Sequence, residues 1–416
     1  MSSSVDAAAA APTVAVAPHV VALSLALLLG LQPVVTDLYL PALPQLARDL
    51  RAPMGATQLT MSALILAFGV AQLVWGPVAD RWGRRPVLLG SLALFTLASV
   101  GAALAGSIEV LVGWRAAQGA TMAAAVVCAR AMVRDLYEPH QGAHVMSKGL
   151  SGLGLIALSS PVLGGVLAAF GGWRAALGAV ALIVAATLLF VWRALPETHR
   201  RRDPHATRPG PLWRTSRGVL RHPTFVAWTA LTSCTYGGLY TILASSSFVY
   251  IEVLGLSPAL YGVALGSGSI AYLAGTVVCR RWLRRHGLTG AVRRGGAFTL
   301  AGGLGMAALA FAGVGSVWAM LVPHWLFLFG HGIHQPCGQS GAIGPFPQAA
   351  GVAAALAGFV LAATAFAAGL WLGVALDDTV RPMAYTVGFW ALATAAVAWT
   401  LVQRHGAPHP AVQRAA

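Results

Sequence analysis

Of twelve acidic residues, a single one, Asp37, stands inside a strongly apolar run. Asp6, Asp49, Glu109, Glu138, Glu197, Asp203, Glu252, Asp377 and Asp378 fall in terminal or connecting segments, and Asp80 and Asp135 mark the ends of apolar runs. A carboxylate at the centre of a bilayer costs about 2.5–3.5 kcal/mol on insertion scales, so one retained there is a candidate for chemical work. Poor solvation favours its neutral form, and such a group can load and release a proton. The competing reading is an interfacial acid beside Pro41 and Pro44 that caps a helix. Arg115 is the counterpart cation, the basic residue well inside an apolar run. Its guanidinium stays charged and needs an acceptor or a wet cavity. It would either orient the first helix and favour ionised Asp37 by proximity, or bond backbone carbonyls; the two roles are compatible. Gln118 follows one turn later on the same face.

Other polar side chains also interrupt apolar runs. His324, His331 and His334 precede Gln335 and Cys337, with His331, His334 and Cys337 at successive i+3 steps. No carboxylate joins them and Pro336 intervenes, so a polar strip lining a cavity, or packed histidines, is favoured over a metal site. Tyr39, Gln118, Tyr236, Tyr240, His331 and Gln335 are the candidates for lining a substrate cavity. Cys128, Cys234, Cys279 and Cys337 show no Cys-x-x-Cys spacing, which argues against zinc and against a disulfide framework. His-Glu-x-x-His, Gly-x-Ser-x-Gly and P-loop patterns do not occur, so neither an enzyme nor a resident cofactor is expected.

The elements that must hold these residues are membrane helices. The 416 residues are 57% apolar and only 9% charged, against about 25% charged in an ordinary soluble chain. Mean hydropathy is +0.72. Lipid must therefore cover much of the surface. A crossing takes about 20 mostly apolar residues. Spans are expected near 19–40, 57–79, 87–106, 109–133, 146–170 and 173–193, then near 224–250, 258–279, 295–315, 317–340, 349–375 and 384–403. The polar, basic, Pro-rich stretch 194–223 joins these two six-helix halves (19–193 and 224–403), with tails 1–18 and 404–416. The N-terminal tail lacks a basic region before the first apolar run, so that run is expected to be retained as a helix.

Arginine placement orients the bundle. Twenty-two of 27 basic residues fall in one alternate set of connections: Arg81, Arg84, Arg85; Arg130, Arg134, Lys148; eight between Arg193 and Arg221; six between Arg280 and Arg294; Arg404 and Arg414. The other set holds Arg48, Arg51, Arg174 and Arg381. The positive-inside rule places the basic end and both termini in the cytoplasm. The charge of +15 is topological, which argues against a nucleic-acid partner. An internal echo supports two related halves: Gly76 to Arg85 follows the second span, and Gly275 to Arg285 follows its counterpart, with Cys279 in place of Asp80.

Gly76-Pro-Val-Ala-Asp80-Arg81-Trp82-Gly83-Arg84-Arg85 resembles the loop between helices 2 and 3 of the major facilitator superfamily. Thr36-Asp37 through Pro44 is similar to the end of helix 1 in the Bcr/CflA-type drug:proton antiporters of that superfamily. Arg115-Ala-Ala-Gln118-Gly119 matches the R-x-x-Q-G pattern, and Pro161-Val-Leu-Gly164-Gly165 resembles the antiporter motif of helix 5. Phe346-Pro347 through Ala355 is similar to a late segment of the same group. Departures are Ile156 and Ser160 in place of glycines, and Val352 and Ala354 in place of Thr and Ser, which weaken the coupling implied by helix 5.

The resemblance implies an all-α integral membrane protein with the twelve-helix major facilitator fold. It implies Asp37 and Arg115 in proton coupling, and Gly76, Asp80, Gly83, Arg84, Arg85 and Asp135 in a cytoplasmic gate. The expected function is proton-coupled efflux of small amphipathic drug-like molecules across the bacterial inner membrane, the type of activity that underlies antibiotic resistance. A same-fold transporter of one metabolite is the alternative. Expected partners are substrate, protons and the bilayer, with the chain acting as a monomer and using no metal.

Overall fold

The computed structural model describes residues 17–199 and 202–406, and every regular element among them is helical. Most of the two expected tails, with Arg200, Arg201 and Arg414, lies outside the described residues. The first four crossings are α1 (Pro18–Asp37), α2 (Met54–Trp82), α3 (Arg84–Ala103) and α4 (Ile108–Leu136). The run Pro139–Ala194 breaks at Gly172 into α5 (139–171) and α6 (173–194). The second half begins with α7 (Pro223–Ser247), and the run Pro258–Phe311 breaks at Gly287 into α8 (258–286) and α9 (288–311). It finishes with α10 (Val317–Ile343), α11 (Ala350–Ala375) and α12 (Arg381–Trp399).

Eight helical runs are long and apolar enough to cross a membrane. Two of them, of 51 and 54 residues, are the broken runs and hold two crossings each. The remaining two crossings, α7 and α10, are of similar length but carry Thr and Ser, or His and Gln, along their faces. Twelve crossings result. Large apolar side chains face outward, with Phe170 89% and Val374 87% exposed, as lipid contact permits.

Within the first half α1 packs on α5, α2 on α4, and α3 on α4 and α6; the second half repeats this with α7 on α11, α8 on α10, and α9 on α10 and α12. The halves meet along two crossings, α2 against α11 and α5 against α8. Small residues make both possible, because helices approach closely where no side chain intervenes. Gly69 lies against Ala362 and Gly373 against Gly55 in the first crossing; Gly262 lies against the Pro161 carbonyl in the second.

Three elements differ from the sequence expectation. The first crossing stops at Asp37, and the chain continues through a 3₁₀ turn (Leu40–Ala42) and a short helix (Leu43–Asp49) rather than running on to residue 40. The connection between the halves contains an amphipathic helix, Pro209–Arg221. The second echo segment is helical throughout: the chain turns at Gly287 (φ 65°), five residues beyond Trp282, whereas its counterpart turns at Gly83 (φ 100°) directly after Trp82. Both turns use a positive φ that glycine adopts without steric cost.

Candidate functional site

The first cluster lies at the end of α1. Asp37 is its last helical residue, partly buried, and accepts a hydrogen bond from the Thr36 hydroxyl at 2.7 Å. Tyr236 of α7 approaches both Gln32 and Asp37, and Tyr261 of α8 lies nearby, so this carboxyl sits where the halves face each other.

Arg115 is fully enclosed behind it. Its Nη1 donates to the Val35 carbonyl and to Gln118 Oε1, both at 3.0 Å, and its Nε donates to the Thr60 carbonyl at 3.2 Å. Its guanidinium stacks 4.5 Å from the Tyr39 ring centre, and Tyr39 bonds Thr60 at 2.7 Å. Gln118 passes the network on to Ser99 of α3 at 2.9 Å. One guanidinium thus ties α1, α2, α3 and α4 together. Among the described residues it makes no ion pair with Asp37, and its contact with that acid runs through the α1 backbone at Val35.

The helix-5 motif lies at the junction of the halves. Gly164 abuts the Leu38 backbone just past α1, Gly165 abuts Pro258 and Ala259 at the start of α8, and the Pro161 carbonyl meets Gly262. A side chain at any of these glycines would displace backbone. The residues flanking Asp37 and the half-to-half contact are therefore coupled through one short stretch of α5.

The six cavity candidates separate. Tyr236 and Gln335 are partly accessible, and Gln335 Oε1 has no hydrogen-bond partner. Tyr240 bonds Ser62 across the halves at 2.9 Å, and His331 bonds Thr235 at 3.0 Å. Tyr39 and Gln118 are fully enclosed within the first half and line no open space here, because Arg115 draws both inward. His334 is held by Thr299 at 3.4 Å and the Val292 carbonyl at 3.3 Å, as a packed histidine would be.

The charged motif assembles at the basic end. Arg84 reaches Asp80 at 2.6 Å and Asp135 at 3.1 Å, bringing α2, α3 and α4 together. Arg85 donates to the carbonyls of Leu195 and Trp192 at 2.7 and 2.8 Å. Gly76 has open space around it. Glu197 belongs to this cluster too, although it was grouped among loop acids on sequence alone. Its carboxylate accepts from the backbone N–H groups of Arg84, Arg85, Thr198 and His199 at 2.9–3.2 Å. Helix α3 begins at Gly83 with no capping side chain of its own, and Glu197 supplies the missing anion. That absence of a Ser, Thr, Asp or Asn cap was the available signal. The thiols of Cys279 and Cys337 also meet, 3.4 Å apart, at the place in α8 and α10 that echoes Asp80.

Side-chain hydrogen bonds between the halves include Arg48 with Glu252, Gln58 with the Ala244 carbonyl at 2.9 Å, and Ser62 with Tyr240. All three lie at the end opposite the basic loops. These bonds join the halves at that end.

The Major Facilitator Superfamily model matches residues 25–370. The chain belongs to the major facilitator superfamily. Multidrug resistance protein D of Escherichia coli K12 is 34% identical over 336 residues, covering 81% of this chain and 84% of that protein. The bicyclomycin resistance protein homolog of Haemophilus influenzae is 26% identical over 366 residues, covering 88% and 92%. The D-xylose-proton symporter structure superposes with a TM-score of 0.74 at 15% identity, covering 94% of this chain and 99% of that one. The expected twelve-helix fold and the Bcr/CflA-type resemblance both hold, and the superfamily consists of transporters of small molecules across membranes.

Proposed function

We propose that this superfamily member exports small amphipathic drug-like molecules across the bacterial inner membrane in exchange for protons. The observation that carries the reading is Asp37: a carboxyl at the end of α1 that faces the second half, beside Gln32 and Tyr236. The names of its relatives, a multidrug and a bicyclomycin resistance protein, support the cargo class.

In this reading the basic end and both termini are cytoplasmic, and the tied end faces outward. Protonation of Asp37 from outside and substrate release there alternate with deprotonation inside and substrate uptake, the halves rocking about α2–α11 and α5–α8. Each proton entering supplies about 2.3 kcal/mol per 100 mV. The Arg84 cluster holds α2, α3 and α4 as one body during that motion, and its opening or closing against the second half sets the gate.

The test is proton release on adding a lipophilic cationic dye to purified protein, wild type against Asp37→Asn. Wild type should release protons and the variant should bind the dye with none released. Unchanged release in the variant would remove Asp37 from the coupling step. Silence of wild-type everted vesicles across a panel of drug-like cargoes, with one metabolite moved, would instead give the narrow-cargo transporter.

A further inference from the structure

The second half holds no acidic residue from 253 to 376, yet six arginines lie between Arg280 and Arg294. In the first half Arg84 and Arg85 are engaged by Asp80, Asp135 and backbone carbonyls. In the second, Arg281, Arg284 and Arg285 have no hydrogen-bond or ion-pair partner among the described residues. These three exposed guanidiniums line an open surface pocket of about 690 Å³ together with Val278 and Trp282, all on α8. Trp282 is fixed by packing against Phe298 of α9, with ring centres 6.3 Å apart.

The position of this pocket on α8 identifies the ligand source. Leu260, Val263, Ile270 and Val277 are 60, 54, 61 and 40% exposed and follow one another at steps of three, seven and seven residues along one face. That face is turned away from α10, which Gly275 contacts, and runs beside the edge that meets α5 at Gly262 and Gly266. It is the lipid-facing stripe of the helix. Arg281 and Arg285 are its next positions, four and eight residues past Val277. A molecule lying along the stripe with an anion at its end would place acyl chains on the apolar side chains and the anion among the guanidiniums.

We infer that this pocket binds the headgroup phosphate of an anionic phospholipid from the leaflet at the basic end. Guanidinium pairs recognise phosphate oxygens through forked hydrogen bonds, and the indole of Trp282 sits at the depth where aromatic rings favour the interface. Clusters of arginines just cytoplasmic of a membrane helix are a setting in which anionic lipid headgroups are held. The ligand steadies the α8–α9 turn, where the second half lacks the carboxylates that steady its counterpart at α2–α3.

Native mass spectrometry of the full chain in detergent tests this, titrating phosphatidylglycerol and phosphatidylcholine with the same acyl chains. Wild type should retain phosphatidylglycerol in preference. Combining Arg281→Ala with Arg285→Ala should weaken that lipid about thirtyfold, the effect of two surface arginines, and abolish the preference. Combining Arg51→Ala with Arg381→Ala removes the same charge from the other end and should leave the preference intact. Equal retention of the two lipids by wild type, or an undiminished preference in the Arg281/Arg285 variant, would overturn the inference. So would millimolar inorganic phosphate displacing all phosphatidylglycerol adducts while itself binding, since the site would then serve a soluble anion.

Discussion

Arg115 shows how one buried charge can organise a half. Its donors end on two carbonyls and an amide of three different helices, and its flat face rests on Tyr39. Lysine keeps the charge but offers a single compact ammonium in place of the rigid fork. Arg115→Lys therefore leaves Gln118 Oε1 or a neighbouring carbonyl unmet, at about 1–3 kcal/mol for each buried group. The expected result is a clearly lower melting temperature in detergent, and a wild-type melting curve would show that the fork is not used. The residue types at this scale were legible in the sequence, since Asp37 and Arg115 stand out against apolar runs. Their partners were not. Glu197 looked like a linker acid, and Cys279 and Cys337 are 58 positions apart, because pairing across helices is set by packing that no local pattern encodes.

At the scale of elements, hydropathy located the crossings well: the expected 57–79 and 349–375 became Met54–Trp82 and Ala350–Ala375. It missed helices whose ends are polar, as in Leu43–Asp49 and Pro209–Arg221, while the breaks at Gly172 and Gly287 separate the spans where hydropathy divides them. Apolar content reports the lipid environment, while helicity in the connections depends on hydrogen bonding that continues outside it. The consequence for function lies in how the elements are tied. Tyr240 of α7 and Ser62 of α2 form one of the polar ties between the halves. Tyr240→Phe removes that bond, worth about 0.5–1.5 kcal/mol, and should shift the balance towards opening of this end about two- to tenfold. Spin labels at Arg51→Cys and Asp378→Cys, both exposed at that end, should report a larger long-distance population in the variant. An unchanged distance distribution would mean that the tie does not hold the end shut.

For the whole molecule, charge asymmetry bears on orientation, and the proposed export depends on which end faces the cytoplasm. The structure sharpens the asymmetry beyond the sequence tally. Of the four basic residues at the end opposite the arginine-rich loops, Arg48 is paired with Glu252, and Arg174 lies over Trp173 while donating to the Ala105 carbonyl. That leaves Arg51 and Arg381 as exposed cations there, against the open arginine cluster of α8 and α9 at the basic end. Each arginine held near an anionic leaflet contributes about 1 kcal/mol, so the preference for one orientation is many times thermal energy. A green fluorescent reporter fused after His405, at the end of the last helical segment, should therefore fold and fluoresce in the cytoplasm. A phosphatase fused at the same place should stay inactive for want of an oxidising compartment. The reverse pattern would invert the bundle, place the ties of Gln58 and Tyr240 on the cytoplasmic side, and turn the proposed export cycle into uptake.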